Sequence, residues 1–222
     1  MSAVMNAVLN EPSDNNLLTR YRNLQNQKPA LRVRDAASEL GVSEAELVAA
    51  EGATRLREDW PALLQRLPLL GRVMCLTRNE TCVHERHGAY QKVEVNGGMA
   101  LVLGPDIDLR LFLRRWKFGF ACTQALHSGT RRSLQFFDAQ GVAIQKIYLT
   151  PESNAAAFDR LLADFRIAST ALVLNAANPP ARDRRDSQID VEGLREAWRA
   201  LRDTHDFYGL LNQFQVGRLQ AL

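Results

Sequence analysis

At Gly71 the sequence changes its grammar, and that change constrains the fold more than any other feature. Upstream, apolar residues recur at spacings of three and four, as amphipathic helices require. Downstream come six short runs rich in β-branched and aromatic residues: VMCLTRN, TCVHERHGAYQKVEV, GMALVLG, FGFACTQAL, RRSLQFFDAQG and VAIQKIYLT. Turn-forming residues separate them at Asn79, Gly88, Asn96-Gly97-Gly98, Gly129 and Asp138 to Gly141. This predicts a large antiparallel meander of roughly six strands, interrupted by one helix over IDLRLFLRRWK. A helix returns in SNAAAFDRLLADFR, with Phe158, Leu161, Leu162 and Phe165 on its sheet-facing side. The fold class expected is therefore α+β, with helices packed at one side of the sheet.

The flanks follow from the same reasoning. Residues 1–16 are expected to be a disordered polar lead-in, and LLTRYRNLQNQKP from Leu17 reads as a helix stopped by Pro29. Asp35 and Ser43 are expected helix N-caps, the latter in a capping box with Glu46. A short helix is expected over 59–70, with Pro61 in its first turn. Residues 17–174 thus form a first α+β repeat. Residues 175–190, with Pro179-Pro180 and a mixed charge run, form a linker before helices over 191–222. RYRNLQ at 20–25 echoes AWRALR at 197–202, so those last helices are expected to open a second, truncated repeat.

Several function classes are excluded. Apolar residues make up 46% and charged residues 24% of the 222, which rules out wholesale disorder. No apolar run reaches membrane-spanning length, so no membrane insertion is expected. Cys75, Cys82 and Cys122 fit neither a disulfide framework nor a zinc knuckle, which fits a reduced, cytoplasmic protein. The net charge of +3 is no nucleic-acid footprint. Residues 33–50 have the outline of a helix-turn-helix, but Glu44, Glu46 and Glu51 on the second helix would repel phosphate. Dinucleotide, P-loop and nucleophile-elbow motifs are absent from the sequence. The positive charge is almost all arginine, the better fork for carboxylates and phosphates, although genomic base composition produces the same bias.

Four histidines bound the metal chemistry. His84 and His87 fall on opposite faces of a strand and read as solvated, and His127 lies in a loop without a partner in sequence. His205 falls on an apolar stripe with Leu194, Trp198, Leu201 and Tyr208 if residues 191–214 form one helix. A core histidine is the plain reading. Gly209 one turn further on, with Phe207 and Tyr208 beside it, leaves room for a planar group, which suits an axial haem ligand. Arg110 follows Asp106 and Asp108, placed at the start of the expected helix. It is either a surface ion-pair partner or a fixed cation for a haem propionate or a ligand on iron.

The runs RVRDAASELGVSEAEL, LTRNETCVHE, LVLGPDIDLRLF, SLQFFDAQGVAIQKIYLT and EAWRALRDTHDFYGLL resemble the cytoplasmic hemin-degrading and haem-trafficking proteins of bacterial haem-uptake systems. The resemblance runs over roughly residues 17–222. It implies two similar α+β halves, with haem b as cargo or substrate. It implies an axial histidine after Thr204 in RDTHDFY, namely His205, and a distal arginine in DLRLF, namely Arg110. His84, in VHE, is implied only as a secondary contact. The partners implied are a haem oxygenase or a haem-uptake transporter, with no nucleic acid. The second half of the pattern has no counterpart after Leu222, which leaves full enclosure of haem and turnover open for this chain. The competing expectation is a helix-turn-helix or protein-interaction module without a specific haem site.

Overall fold

The computed structural model describes residues 13–79, 81–126, 129–168, 171–175, 185–203 and 206–221. Three helices open it, α1 (Ser13–Gln27), α2 (Val33–Leu40) and α3 (Glu44–Ala50), followed by β1 (Thr54–Leu56) and α4 (Trp60–Leu64). Strands β2 (Gly71–Arg78), β3 (Val83–Ala89), β4 (Lys92–Asn96), β5 (Met99–Leu103) and β6 (Leu109–Phe112) come next. Then follow β7 (Phe118–Leu126), β8 (Gly129–Phe137), β9 (Ala143–Ser153), α5 (Ala155–Phe165), α6 (Val191–Ala200) and α7 (Phe207–Phe214). The chain divides into two compact units, Met1–Ala176 and Ala177–Leu222.

In the first unit the expected α+β fold is built on two antiparallel sheets rather than one meander. Six strands run in the order β1-β7-β8-β9-β2-β3, and β4-β5-β6 form a second sheet. The run TCVHERHGAYQKVEV is therefore split, β3 joining the large sheet and β4 the small one. β8 puts large apolar side chains on both faces, and each needs cover. Leu134 and Phe136 point into a core with Phe158, Leu161 and Phe165 of α5, Trp60 and Leu63 of α4, and Val102 and Leu111 of the small sheet. Phe137 points the other way and joins Phe118 and Phe120 beneath Ala45 and Val48 of α3. The helices are thus shared between both faces and not gathered at one side.

Four local expectations are corrected. IDLRLFLRRWK is not a helix: Leu109–Phe112 pair with β5, and only a three-residue 3-10 turn, Leu113–Arg115, follows. The N-cap of α2 is Arg32, with Asp35 in its first turn. The 59–70 segment breaks into α4, capped by Asp59, and a 3-10 turn over Leu67–Leu70. In the second unit the expected single helix over 191–214 ends at Ala200, where Leu201 turns extended (φ −59°, ψ 127°), and restarts at Phe207.

That last break has a packing reason. Nine residues separate Trp198 from Phe207, about 13 Å along a straight helix. The chain instead folds back so that their rings meet edge to face at 4.8 Å, over Leu194, Leu210 and Val216. Asp203 and Asp206 sit near the break, and short polar side chains of this kind compete for backbone hydrogen bonds.

α3 is locked onto the turn between β8 and β9. Ser43 Oγ accepts from the Glu46 backbone N–H at 3.2 Å and the Glu46 carboxylate accepts from the Ser43 N–H at 2.8 Å, which completes the capping box. The next amide, Ala45 N–H, leaves the helix and donates to Gly141 O at 3.1 Å. Asp138 shapes that turn by accepting from the Gln140 and Val142 amides at 3.0 and 2.9 Å. Gly141 has φ +77°, and a side chain there would collide with Ser43 Oγ. Beside this junction the Lys146 ammonium donates to the Glu44 carboxylate at 2.7 Å, with their side chains only 10% and 6% exposed. Gly141→Ala is expected to lower unfolding free energy by about 2 kcal/mol or more, from the left-handed backbone plus the collision, as read by the urea midpoint.

Candidate functional site

Arg110 stands on an edge strand. β6 is the outer strand of the small sheet, and Ile107, Leu109, Leu111 and Leu113 turn alternately inward along this segment. Arg110, opposite Leu101, therefore shares the outward face with Phe112, whose ring is 58% exposed. The ion pair expected within PDIDLR does not form. Asp106 lies 3.8 Å from Arg86, whose Nε also donates to Asp106 O at 2.9 Å. Among the described residues no carboxylate comes within ion-pairing distance of Arg110.

The strand forms one wall of a cleft of about 1030 Å³, closed by α2, the end of β2 and the start of β9. Its cations come from three separate segments: Arg34 on α2, Arg78 at the end of β2, and Arg110 with Arg115 on β6 and the turn that follows it. Arg34 is fixed by donating to Asn79 O at 3.1 Å. The carboxylates on the wall are engaged elsewhere, Glu44 with Lys146 and Asp138 in its own turn. Between the guanidinium groups lie apolar surfaces, among them Phe112, Trp116 and Ile144. Trp116 is held by stacking on Phe136 at 4.4 Å, and its carbonyl accepts from Trp60 Nε1 at 3.0 Å. An aromatic wall with a positive rim suits a flat ligand with acidic groups at its edge.

Gln145 forms part of the floor and is 1% exposed. Its Nε2 donates to Tyr90 Oη at 2.9 Å and Cys75 Sγ at 3.2 Å, while its Oε1 has no hydrogen-bond partner among the described residues. Burial pushes the Tyr90 phenol well above its ordinary value and raises the Cys75 thiol too, so the neutral Tyr90 hydroxyl donates to Cys75 Sγ at 3.2 Å. This cluster can orient a ligand but supplies no nucleophile.

The other predicted residues divide clearly. His84 lies opposite Thr77 and His87 opposite Met74 in the β2–β3 register, so the two imidazoles point to opposite faces, both exposed. No cluster of three His, Cys, Asp or Glu residues suited to a metal ion occurs among the described residues. The cysteines are free, with Cys75 and Cys122 buried and Cys82 exposed. His127, Thr204 and His205 lie outside the described residues. The stripe that placed His205 is lost with the single helix, since Tyr208 is 62% exposed on a separate helix. Among the described residues no atom lies within 4 Å of where a Cβ on Gly209 would stand. As for DNA, α2 and α3 do form a helix-turn-helix, but Glu44, Ala45, Leu47 and Val48 are buried and none of α3 is fully exposed. Such a helix has no face left for a groove. Sequence reasoning did not single out Arg34, Arg115, Trp116 or Gln145, because segments far apart in sequence bring them together.

Residues 41–165 match the model of the haemin-degrading HemS.ChuX domain. The chain belongs to that family. It is 38% identical over 210 residues to the hemin transport protein HmuS of Yersinia pestis, a match that covers 92% of this chain and 60% of that one. The chain thus spans less than two thirds of the length of this relative. Its fold superposes on the crystal structure of holo-PhuS, a heme-binding protein from Pseudomonas aeruginosa, with a TM-score of 0.89 at 47% identity, covering 95% of this chain and 63% of that one. It also superposes on ChuS, a heme oxygenase of E. coli, with a TM-score of 0.78 at 36% identity, covering 93% and 61%. The matched segment includes Arg110 and most of the cleft around it. No helix among the described residues is long and apolar enough to cross a membrane.

Because Arg110 is exposed and has no ion pair, Arg110→Gln is expected to leave unfolding free energy unchanged to within about 0.5 kcal/mol in urea titrations. A larger loss would assign Arg110 to holding the fold and not to the cleft.

Proposed function

We propose that this chain is a haem-binding protein of bacterial haem uptake and iron acquisition, acting in the cytoplasm, with haem b as its cargo or substrate. The observation that carries the reading is the unpaired Arg110 at the edge of an arginine-rimmed, aromatic-walled cleft, within the segment that matches the haemin-degrading domain. Haem is flat, apolar across its faces and acidic at its two propionates. Guanidinium groups bond such carboxylates with two parallel N–H donors and hold their charge at any physiological pH. The exposed Phe112 offers flat surface to the ring, and the buried Trp116, stacked on Phe136, backs that wall. His205 is assigned the iron, through a neutral imidazole nitrogen, on the resemblance of RDTHDFY to the family motif.

The names of the relatives support carriage and degradation alike: HmuS is a hemin transport protein and ChuS a heme oxygenase. As carrier, the chain hands haem to a haem oxygenase or receives it from an uptake transporter. As enzyme, it opens the macrocycle and frees iron, which needs an electron donor.

A hemin titration followed at the Soret band tests the assignment. The wild-type chain is expected to bind one equivalent saturably. Arg110→Ala is expected to weaken binding about ten-fold, one charge-assisted contact, without altering the spectrum. His205→Ala is expected to abolish the shifted Soret band while circular dichroism stays unchanged. Wild-type spectra that never saturate and match those of both variants would sink the proposal. Reductant and oxygen added to the complex separate the two roles: Soret loss with a linear tetrapyrrole marks degradation, and intact haem that moves to a second protein marks carriage.

A further inference from the structure

The large sheet has a second cleft on the face that bears Phe137, and its chemistry differs from that of the Arg110 cleft. It measures about 1100 Å³ and lies between the sheet and the α1–α3 cover. Where a covered sheet face is usually apolar, this one carries Ser133, Gln135 and Lys146, which are 3%, 5% and 8% exposed. Lys146 holds Glu44 at 2.7 Å. Gln135 Nε2 donates to Ser133 Oγ at 3.1 Å, and its Oε1, on a residue that lines the cleft, has no hydrogen-bond partner among the described residues. A buried orphan acceptor is costly unless a donor arrives to satisfy it.

Charge adds a second condition. Arg32, Arg78 and Arg131 line the cleft against Glu51 and Glu85, while the charge of Lys146 is met by Glu44. Arg131 is positioned at the mouth, with Nη2 donating to Gln124 Oε1 at 2.6 Å and the guanidinium 5.5 Å from the centre of the Tyr148 ring. No histidine among the described residues lines the cleft. Burial raises the Cys122 thiol and the Tyr21 phenol each to about 12, so neither offers an anionic ligand to iron.

From the orphan acceptor and the excess of cations we infer that this cleft is a second small-molecule site, for a hydroxylated anion of the sugar-acid or sugar-phosphate type. A ligand hydroxyl donates to Gln135 Oε1, and the acid group lies against the exposed Arg131 guanidinium. The site is separate from the Arg110 cleft and does not depend on the haem reading.

Isothermal titration calorimetry with gluconate and with ribose 5-phosphate tests it on the chain without haem. At least one probe is expected to bind saturably, one to one, and the comparison reveals which acid group the site prefers. Gln135→Leu and Arg131→Gln are each expected to weaken that binding about ten-fold or more. Arg110→Gln is expected to leave it unchanged. Gln135→Leu removes the unsatisfied Oε1 together with one hydrogen bond to Ser133 Oγ, and Arg131 is exposed; should Gln135→Leu fail to fold, Arg131→Gln carries the test. No saturable heat with either probe would overturn the inference, as would affinities unchanged in both variants. Displacement of the probe by hemin would overturn it as well, by making this cleft a haem surface.

Discussion

The junction between α3 and the β8–β9 turn sets the rest of the first unit. Two interactions hold it: the Ala45 amide on Gly141 O, and the buried Lys146–Glu44 pair. A buried ion pair is a weak source of net stability, because desolvation offsets most of its attraction, but it has one low-energy geometry. It therefore fixes where α3 lies more than how firmly the protein folds. α1 and α2 pack on α3 through Tyr21, Ala36, Ala37 and Leu47, so the whole helical cover inherits that position.

That position explains why the domain has two clefts of opposite temperament. α3 sits over Phe118, Phe120 and Phe137 and leaves the β9–β2 part of the same face under a looser roof, where polar side chains line the space. α2, on the other flank, faces β6 across the aromatic, arginine-rimmed cleft. Arg78 at the end of β2 lines both, and Glu44 and Lys146 bond to each other from the separate linings. One short helix thus separates an aromatic, arginine-rimmed cleft on one side from a more polar one on the other.

Much of this was written in local sequence. The β7–β8–β9 hairpins announce themselves through alternating residues and turn signals, α5 through its Phe158, Leu161, Phe165 face, and α3 through its capping box. The segment around Arg110 was misread although its signal was present: Ile107, Leu109, Leu111 and Leu113 alternate strictly, a period of two that a helix would scatter around its axis. The C-terminal pattern failed for the opposite reason. Its helical period persists across Leu201, while the contact of Trp198 with Phe207 and the apolar cluster around it form between separate helices. The clefts were not legible at all, since Arg34, Arg78, Arg110 and Arg115 converge only after two sheets and a helix hairpin have assembled. The arginine bias noticed in composition finds part of its use there.

The chain carries three tryptophans. Trp116 stacks on Phe136 and lines the Arg110 cleft, Trp60 meets the same Phe136 ring edge to face, and Trp198 belongs to the second unit. The protein therefore carries a built-in light meter for each unit. A pigment that absorbs in the near ultraviolet and violet, seated beside Trp116, would drain that indole's emission by energy transfer. The polar cleft on the far side of the sheet could fill with a colourless guest and leave the glow untouched.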